Sequence, residues 1–248
     1  MLDLYESHFD FAFWAGAPKI QYMIATMPRS GSTHFCIECW KSGSLGAPLE
    51  YPNLPMVKSL MKRFKCTEDI DEYWNKVKSV RTSPNGVFGY KMFMANYLVF
   101  GRTHPTLLQQ ISPDRVIYLT RKDLLGQAIS YSKAIKSNAW FSGVSNSQTV
   151  EYDTAHIDQC KGMLISQQNF WEDLFKLTNA QVLRINYEEL LEFPAETVAT
   201  VAEFVGTKIS FDSQLQIPNT KVQRDQVTSD WRKRYLNDTL NRESGCSI

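Results

Sequence analysis

Four short runs of β-branched, aromatic and aliphatic residues punctuate the chain, at Ile20 to Thr26, Val87 to Phe93, Val116 to Thr120 and Gln181 to Asn186. Runs of that length and composition predict strands. The segments between them are long enough to carry crossover helices, so the strands are expected to lie parallel, with helices on both faces of the sheet. The spacing of apolar positions predicts those helices at Ser32 to Ser42, Leu54 to Lys65, Thr67 to Ser79, Leu124 to Ser137, Thr149 to Leu177 and Ala195 to Val205. Pro194 and Gly206 bracket the last of them as start and stop signals. The long helix carries Ile157, Met163, Leu164, Phe170, Trp171, Leu174 and Phe175, a set assigned to core packing. No internal repeat or low-complexity linker interrupts this α/β order.

Ligands of open α/β sheets sit beyond the carboxyl ends of the strands. Three polar, cation-bearing segments fall there, at Thr26 to Ser30, Lys91 to Asn96 and Arg121 to Asp123. The first belongs to the run from Met23 to Phe35, where an apolar strand ends in a small, hydroxyl-rich turn that opens a helix. Such a turn presents backbone amides to a phosphate. Laid over the Walker pattern, Gly31 and Thr33 are in register, but Thr26 replaces the first glycine and Ser32 replaces the lysine that reaches the terminal phosphates of a nucleoside triphosphate. Arg29 offers a forked guanidinium to a single 5′-phosphate instead. The same hydroxyls, Ser30, Ser32 and Thr33, would equally serve an ordinary helix cap.

Composition narrows the partners. The chain has 248 residues, 43% of them hydrophobic, enough for one large domain, or for a domain from 20 to 248 with an aromatic arm at 1–19. Net charge is +1, from 27 basic and 26 acidic residues, which excludes the global positive field of a sequence-independent nucleic-acid binder. Basic residues cluster only locally, as Arg121, Lys122, Lys133 and Lys136 against Asp123, and as Lys221, Arg224, Arg232, Lys233 and Arg234 against Asp225 and Asp230. Five cysteines without regular spacing fit a reduced compartment, and Cys36 and Cys39 are assigned to helix packing rather than to a metal or redox site. No run approaches the roughly 20 apolar residues of a membrane span. The acidic, aromatic start (Asp3, Glu6 and Asp10 among Phe9, Phe11, Phe13 and Trp14) lacks the basic opening of a signal peptide, so a cytoplasmic protein is expected.

The segment from Thr120 to Tyr131 couples Arg121, leaving a buried strand, to Ser130 on the next helix. The two can meet one ligand only if the first helical turn bends back toward the strand end. With both motifs in this order, the chain resembles the sulfotransferases that use 3′-phosphoadenosine 5′-phosphosulfate (PAPS). It is most similar to the bacterial trehalose 2-sulfotransferase type. The likeness runs through the turn Pro28 to Thr33, Gly46 to Tyr51, Pro84 to Lys91, Arg121 to Trp140 and the tail around Gln223, Asp225, Trp231 and Arg234.

The resemblance implies a P-loop-NTPase-like three-layer α/β/α fold with a mainly parallel sheet, PAPS as donor without a metal, and transfer of a sulfuryl group to a hydroxyl of a sugar or glycolipid. It implies that Arg29, Ser30, Gly31, Ser32 and Thr33 hold the 5′-phosphosulfate and that Arg121 and Ser130 hold the 3′-phosphate. Glu50 is implied as the base, with Lys91 and Arg29 stabilising charge on the departing oxygen; His34 is a second candidate base. Arg224 is the tail residue expected to close over the nucleotide, although Val222 stands where the family carries a basic residue. Acceptor selectivity is expected from Leu49 to Lys65 and Asn138 to Tyr152. A homodimer, with the aromatic arm in the subunit contact, is a further expectation. Two other functions fit the residues: a P-loop nucleotide kinase, and a non-catalytic module that binds adenosine 3′,5′-bisphosphate.

Overall fold

The computed structural model describes residues 3–67, 69–140, 150–209, 216–218 and 226–245. Its centre is a four-stranded, fully parallel sheet in the order β2-β1-β3-β4, formed by β1 (Ile20–Thr26), β2 (Val87–Phe93), β3 (Arg115–Thr120) and β4 (Val182–Asn186). All four strands fall within a residue of the runs read from the sequence. β1 and β2 are buried almost along their whole length, as strands covered on both faces must be. The register brings Thr26 level with Phe93 and Leu119, and Thr120 level with Asn186. The four carboxyl ends therefore finish side by side.

The connection leaving β1 leads to β2 on one side, whereas the one leaving β3 leads to β4 on the other, so the strand order reverses between β1 and β3. That is the switch point at which such sheets bind ligands. The chain reaches β2 through α1 (Ser32–Lys41), α2 (Leu54–Phe64) and α3 (Ile70–Arg81), and leaves β3 through α6 (Leu124–Ser137) and α7 (Thr154–Thr178). One face of the sheet packs on α1 and α9 (Pro194–Val205), and the other on α7. Trp40 of α1 and Trp171 of α7 are both fully buried on these opposite sides. At about 25 cal/mol per Å² of apolar surface, each contributes on the order of 4 kcal/mol of gross burial energy.

Four helices lie outside the sequence expectation. They are α4 (Met94–Thr103), α5 (Pro105–Gln110), α8 (Tyr187–Glu192) and α10 (Gln226–Gly245). α4 and α8 follow their strands without an intervening loop, so no turn residue marks their start; α10 is polar on most of its surface. α10 packs beside α6, with Trp231 and Tyr235, four residues apart, both buried: the Trp231 ring meets Tyr152, the Tyr235 hydroxyl donates to Asp158 of α7, and the Arg232 guanidinium lies 2.5 Å from the Asp123 carboxylate that caps α6. Asp123 accepts there from the Gly126 N–H at 3.0 Å. The N-terminal arm packs on its own domain, with Phe9 and Phe11 buried while Phe13 is exposed. Among the described residues no helix is long and apolar enough to cross a membrane.

Close approach explains Gly89: a side chain there would run into the ring of Tyr22 on the neighbouring strand. Gly89→Ala is therefore expected to destabilise the fold by about 1–3 kcal/mol of overpacking, measured by denaturant unfolding. Partial burial works to raise the Asp123 carboxyl, but the Arg232 contact, the Gly126 N–H and Arg121 outweigh it and hold the group below the ordinary aspartate range. Because the folded value is the depressed one, this stabilisation is complete above the unfolded value of about 3.9 and is lost as pH falls through the folded value. The melting-temperature gap between the wild type and Asp123→Asn should be widest near neutrality and close below about pH 4.

Candidate active site

The turn after β1 is held from four directions. Thr26, where the Walker pattern has glycine, donates its hydroxyl to the Leu119 carbonyl at 3.0 Å, which leaves the Ser30 hydroxyl as donor in their 2.7 Å contact. Trp171 Nε1 donates to the Thr26 carbonyl at 3.1 Å, Gln127 Nε2 to the Pro28 carbonyl at 2.7 Å, and Arg121 Nη1 to the Arg29 carbonyl at 3.3 Å. These bonds sustain two left-handed residues, Gly31 at φ 80° and Arg29 at φ 60°. For arginine that conformation costs about 1–2 kcal/mol, a strain that persists only where the surroundings impose it. Gly31 has a second reason to lack a side chain, because a Cβ there would collide with the Tyr187 ring. Ser30 is fully buried and turned back onto β1.

Beyond the turn lies a cavity of about 1110 Å³. Arg29, Gly31, Ser32, Thr33, Glu50, Lys91, Arg121 and Ser130 all line it, so nearly every site residue expected from the sequence converges there. The first amides of α1, which have no acceptor within the helix, belong to residues that line the cavity, and the helix dipole adds a partial positive charge at this end. The two anion motifs do not form separate pockets. Arg29 bridges them by donating Nε to Ser130 Oγ at 2.9 Å and Nη1 to the Trp140 carbonyl at 2.8 Å. Burial, and then the charge of Arg121, push the Arg29 pKa below the usual arginine value.

Arg121 leaves the end of β3 beneath the Tyr187 ring, 5.8 Å from its centroid, and pairs with Asp123 at 3.2 Å. Its Nε is buried without a hydrogen-bond partner among the described residues. An unmet buried donor of this kind costs about 1–3 kcal/mol. The Arg121 and Ser130 side chains themselves line the cavity, beside Arg29. The cavity thus fits a phosphate at this end by the chemistry of its donors.

At the opposite wall, Glu50 and Lys91 form an ion pair at 3.4 Å with side chains only 14% and 7% exposed. Glu50 Oε1 accepts from Asn53 Nδ2 at 2.8 Å and from Asn96 Nδ2 at 3.4 Å. The segment before Glu50 runs beside edge strand β2, where the Lys91 N–H donates to the Leu49 carbonyl at 2.9 Å. This backbone bond places residue 50 next to residue 91. His34 also lines the cavity, and burial, partly offset by Glu38, lowers its pKa. Arg224, with Lys221, lies outside the described residues.

Sequence reasoning did not single out Asn53 and Asn96 beside Glu50, Gln127 under the turn, or Trp140 at the Arg29 guanidinium. The Tyr187 ring sits against both Gly31 and Arg121. Three residues separate Asn53 from Glu50, the one spacing in this group that was readable along the chain.

Among curated proteins, the chain is 25% identical to the trehalose 2-sulfotransferase of Mycolicibacterium smegmatis, over 88% of this chain and 94% of that protein. Among solved structures it is similar to a sulfotransferase from Alicyclobacillus acidocaldarius, 15% identical over 93% of this chain and 96% of that one, with a TM-score of 0.47. Another is the sulfotransferase domain from the curacin biosynthetic pathway, 17% identical over 81% of this chain and 77% of that one, also at 0.47. The model of the Stf0 sulphotransferase family matches residues 21–238, a span that contains the turn, Glu50, Lys91, Arg121 and Ser130, and the chain belongs to that family.

Proposed function

We propose that this sulfotransferase takes its sulfuryl group from PAPS and passes it to a carbohydrate hydroxyl. The observation that carries the reading is the meeting, in one cavity, of a phosphate-type turn, the Arg121 and Ser130 side chains and the Glu50–Lys91 pair. The volume supports it as well, since about 1110 Å³ exceeds the 300–1,000 Å³ of a typical single-ligand pocket and leaves room for donor and acceptor together.

PAPS supplies a sulfuryl group on a good leaving group, with transfer passing through a loose, in-line transition state by analogy with phosphoryl transfer. The α1 amides of Gly31 to Thr33 bind and orient the 5′-phosphosulfate, and Arg121 with Ser130 binds the 3′-phosphate. Arg29 spans the two and, with Lys91, presents positive charge where the departing oxygen becomes negative. Glu50 accepts the proton of the attacking hydroxyl; Asn53 and Asn96 fix one carboxylate oxygen so that the other is steered by Lys91. Polar groups lining the cavity, Asn53, Asn96, Ser166 and Gln167, suit a polyol. The curated relative makes a trehalose-like sugar the first acceptor to test. Cys36, Cys39, Cys66 and Cys160 are unpaired, which supports a reducing, cytoplasmic setting.

The test is a PAPS-dependent screen of disaccharides and glycolipids, read as an added sulfo group by mass spectrometry. Glu50→Gln should lower kcat by roughly a hundredfold or more with the affinity for adenosine 3′,5′-bisphosphate kept; full activity would remove Glu50 as the base. Arg121→Ala should weaken that affinity by about 10- to 100-fold in calorimetry, as expected for a charged hydrogen bond, and unchanged affinity would refute the placement of the 3′-phosphate. Nucleotide binding with no transfer to any acceptor would favour a non-catalytic module.

A further inference from the structure

The N-terminal arm reaches the site from outside the stretch that the family model matches. Tyr5 Oη lies 3.1 Å from the Glu50 backbone nitrogen and accepts its N–H, while the Tyr5 ring sits edge-on to the buried ring of Tyr51 at 6.0 Å. Residues 49–51 are thus held on two sides, by the Lys91 N–H at the Leu49 carbonyl and by Tyr5 at Glu50. The arm that carries Tyr5 is itself locked down. Asp10 pairs with Arg63 and, at 3.1 Å, with Arg81. Arg81 is 1% exposed and donates to the carbonyls of Leu4 and Glu6, and Arg63 donates to that of Tyr5 at 2.6 Å. Burial, and then the charge of Glu50, keep the Tyr5 phenol above its ordinary range, so the hydroxyl stays neutral and available as an acceptor.

We propose that Tyr5 is a positioning residue: its hydroxyl fixes the Glu50 backbone so that the carboxylate faces Lys91 and the cavity, which makes the arm a working part of the active site. This rests on the reading of Glu50 as base. A backbone N–H in a short connecting segment can be satisfied by rotating the peptide toward another acceptor, and that rotation would carry the Glu50 side chain with it. The hydroxyl matters to this function more than the ring does, because the ring alone would still pack on Tyr51.

Tyr5→Phe separates the two by keeping the ring. It should lower kcat for PAPS-dependent transfer roughly tenfold, the effect of one well-placed hydrogen bond, with the dissociation constant for adenosine 3′,5′-bisphosphate within about twofold of wild type. In a Glu50→Gln background the same change should have no further effect on the residual rate. Wild-type kcat in Tyr5→Phe, or an equal loss in both backgrounds, would overturn the proposal. Hydrogen exchange at the Glu50 amide, followed by NMR, reads the positioning without any turnover and should accelerate about tenfold in Tyr5→Phe. Unchanged exchange overturns the role of Tyr5 whatever the activity. Accelerated exchange in a protein that transfers nothing from PAPS supports the role and fails the functional reading alone.

Discussion

Gathering cations in a space partly closed to water is the constraint on which this structure turns. Arg29, Arg121 and Lys91 all point into one cavity, and taking such charges out of water is unfavourable unless each finds a partner. The protein supplies those partners asymmetrically. Lys91 has Glu50, and Arg121 has Asp123 and the Arg29 carbonyl, yet Arg121 Nε has no partner among the described residues. Cations gathered so closely suit an anionic ligand better than a neutral one.

The sheet makes that gathering possible. Parallel strands that end level, with the order reversing between β1 and β3, place the β1 turn beside Arg121 without further contrivance. The strain in Arg29 and the positive φ of Gly31 are tolerated because hydrogen bonds from β3, α6 and α7 all close on the same few carbonyls. Thr26 illustrates how the turn differs from a triphosphate-binding loop. Its hydroxyl ties β1 to β3 and to Ser30, so a stiff side-chain clasp occupies the place where the Walker pattern has a flexible glycine.

The wall that carries Glu50 depends on weaker frames. Glu50 sits in a connection rather than in a helix or strand, and its orientation comes from the edge of β2, from Asn53 and Asn96, and from Tyr5 of the arm. On the other flank, α10 fastens Arg232 to Asp123, which in turn holds Arg121. Segments at both ends of the chain therefore brace residues at the two walls of the cavity.

The amino-acid sequence by itself determined the four strands and the small, hydroxyl-rich turn after β1, because each rests on local features: runs of strand-forming residues, and a glycine among small hydroxyl residues where a strand ends and a helix opens. It did not disclose α4, α8 or α10, whose boundaries carry no turn signal or whose surfaces are polar nearly all round. Only the tertiary structure decided that Arg29 meets Ser130 across 101 residues, that Tyr5 reaches Glu50 across 45, and that Arg232 meets Asp123 across 109. Contacts at such separations follow from which strands are neighbours and which way the crossovers turn, and no pattern confined to a few neighbouring residues records that.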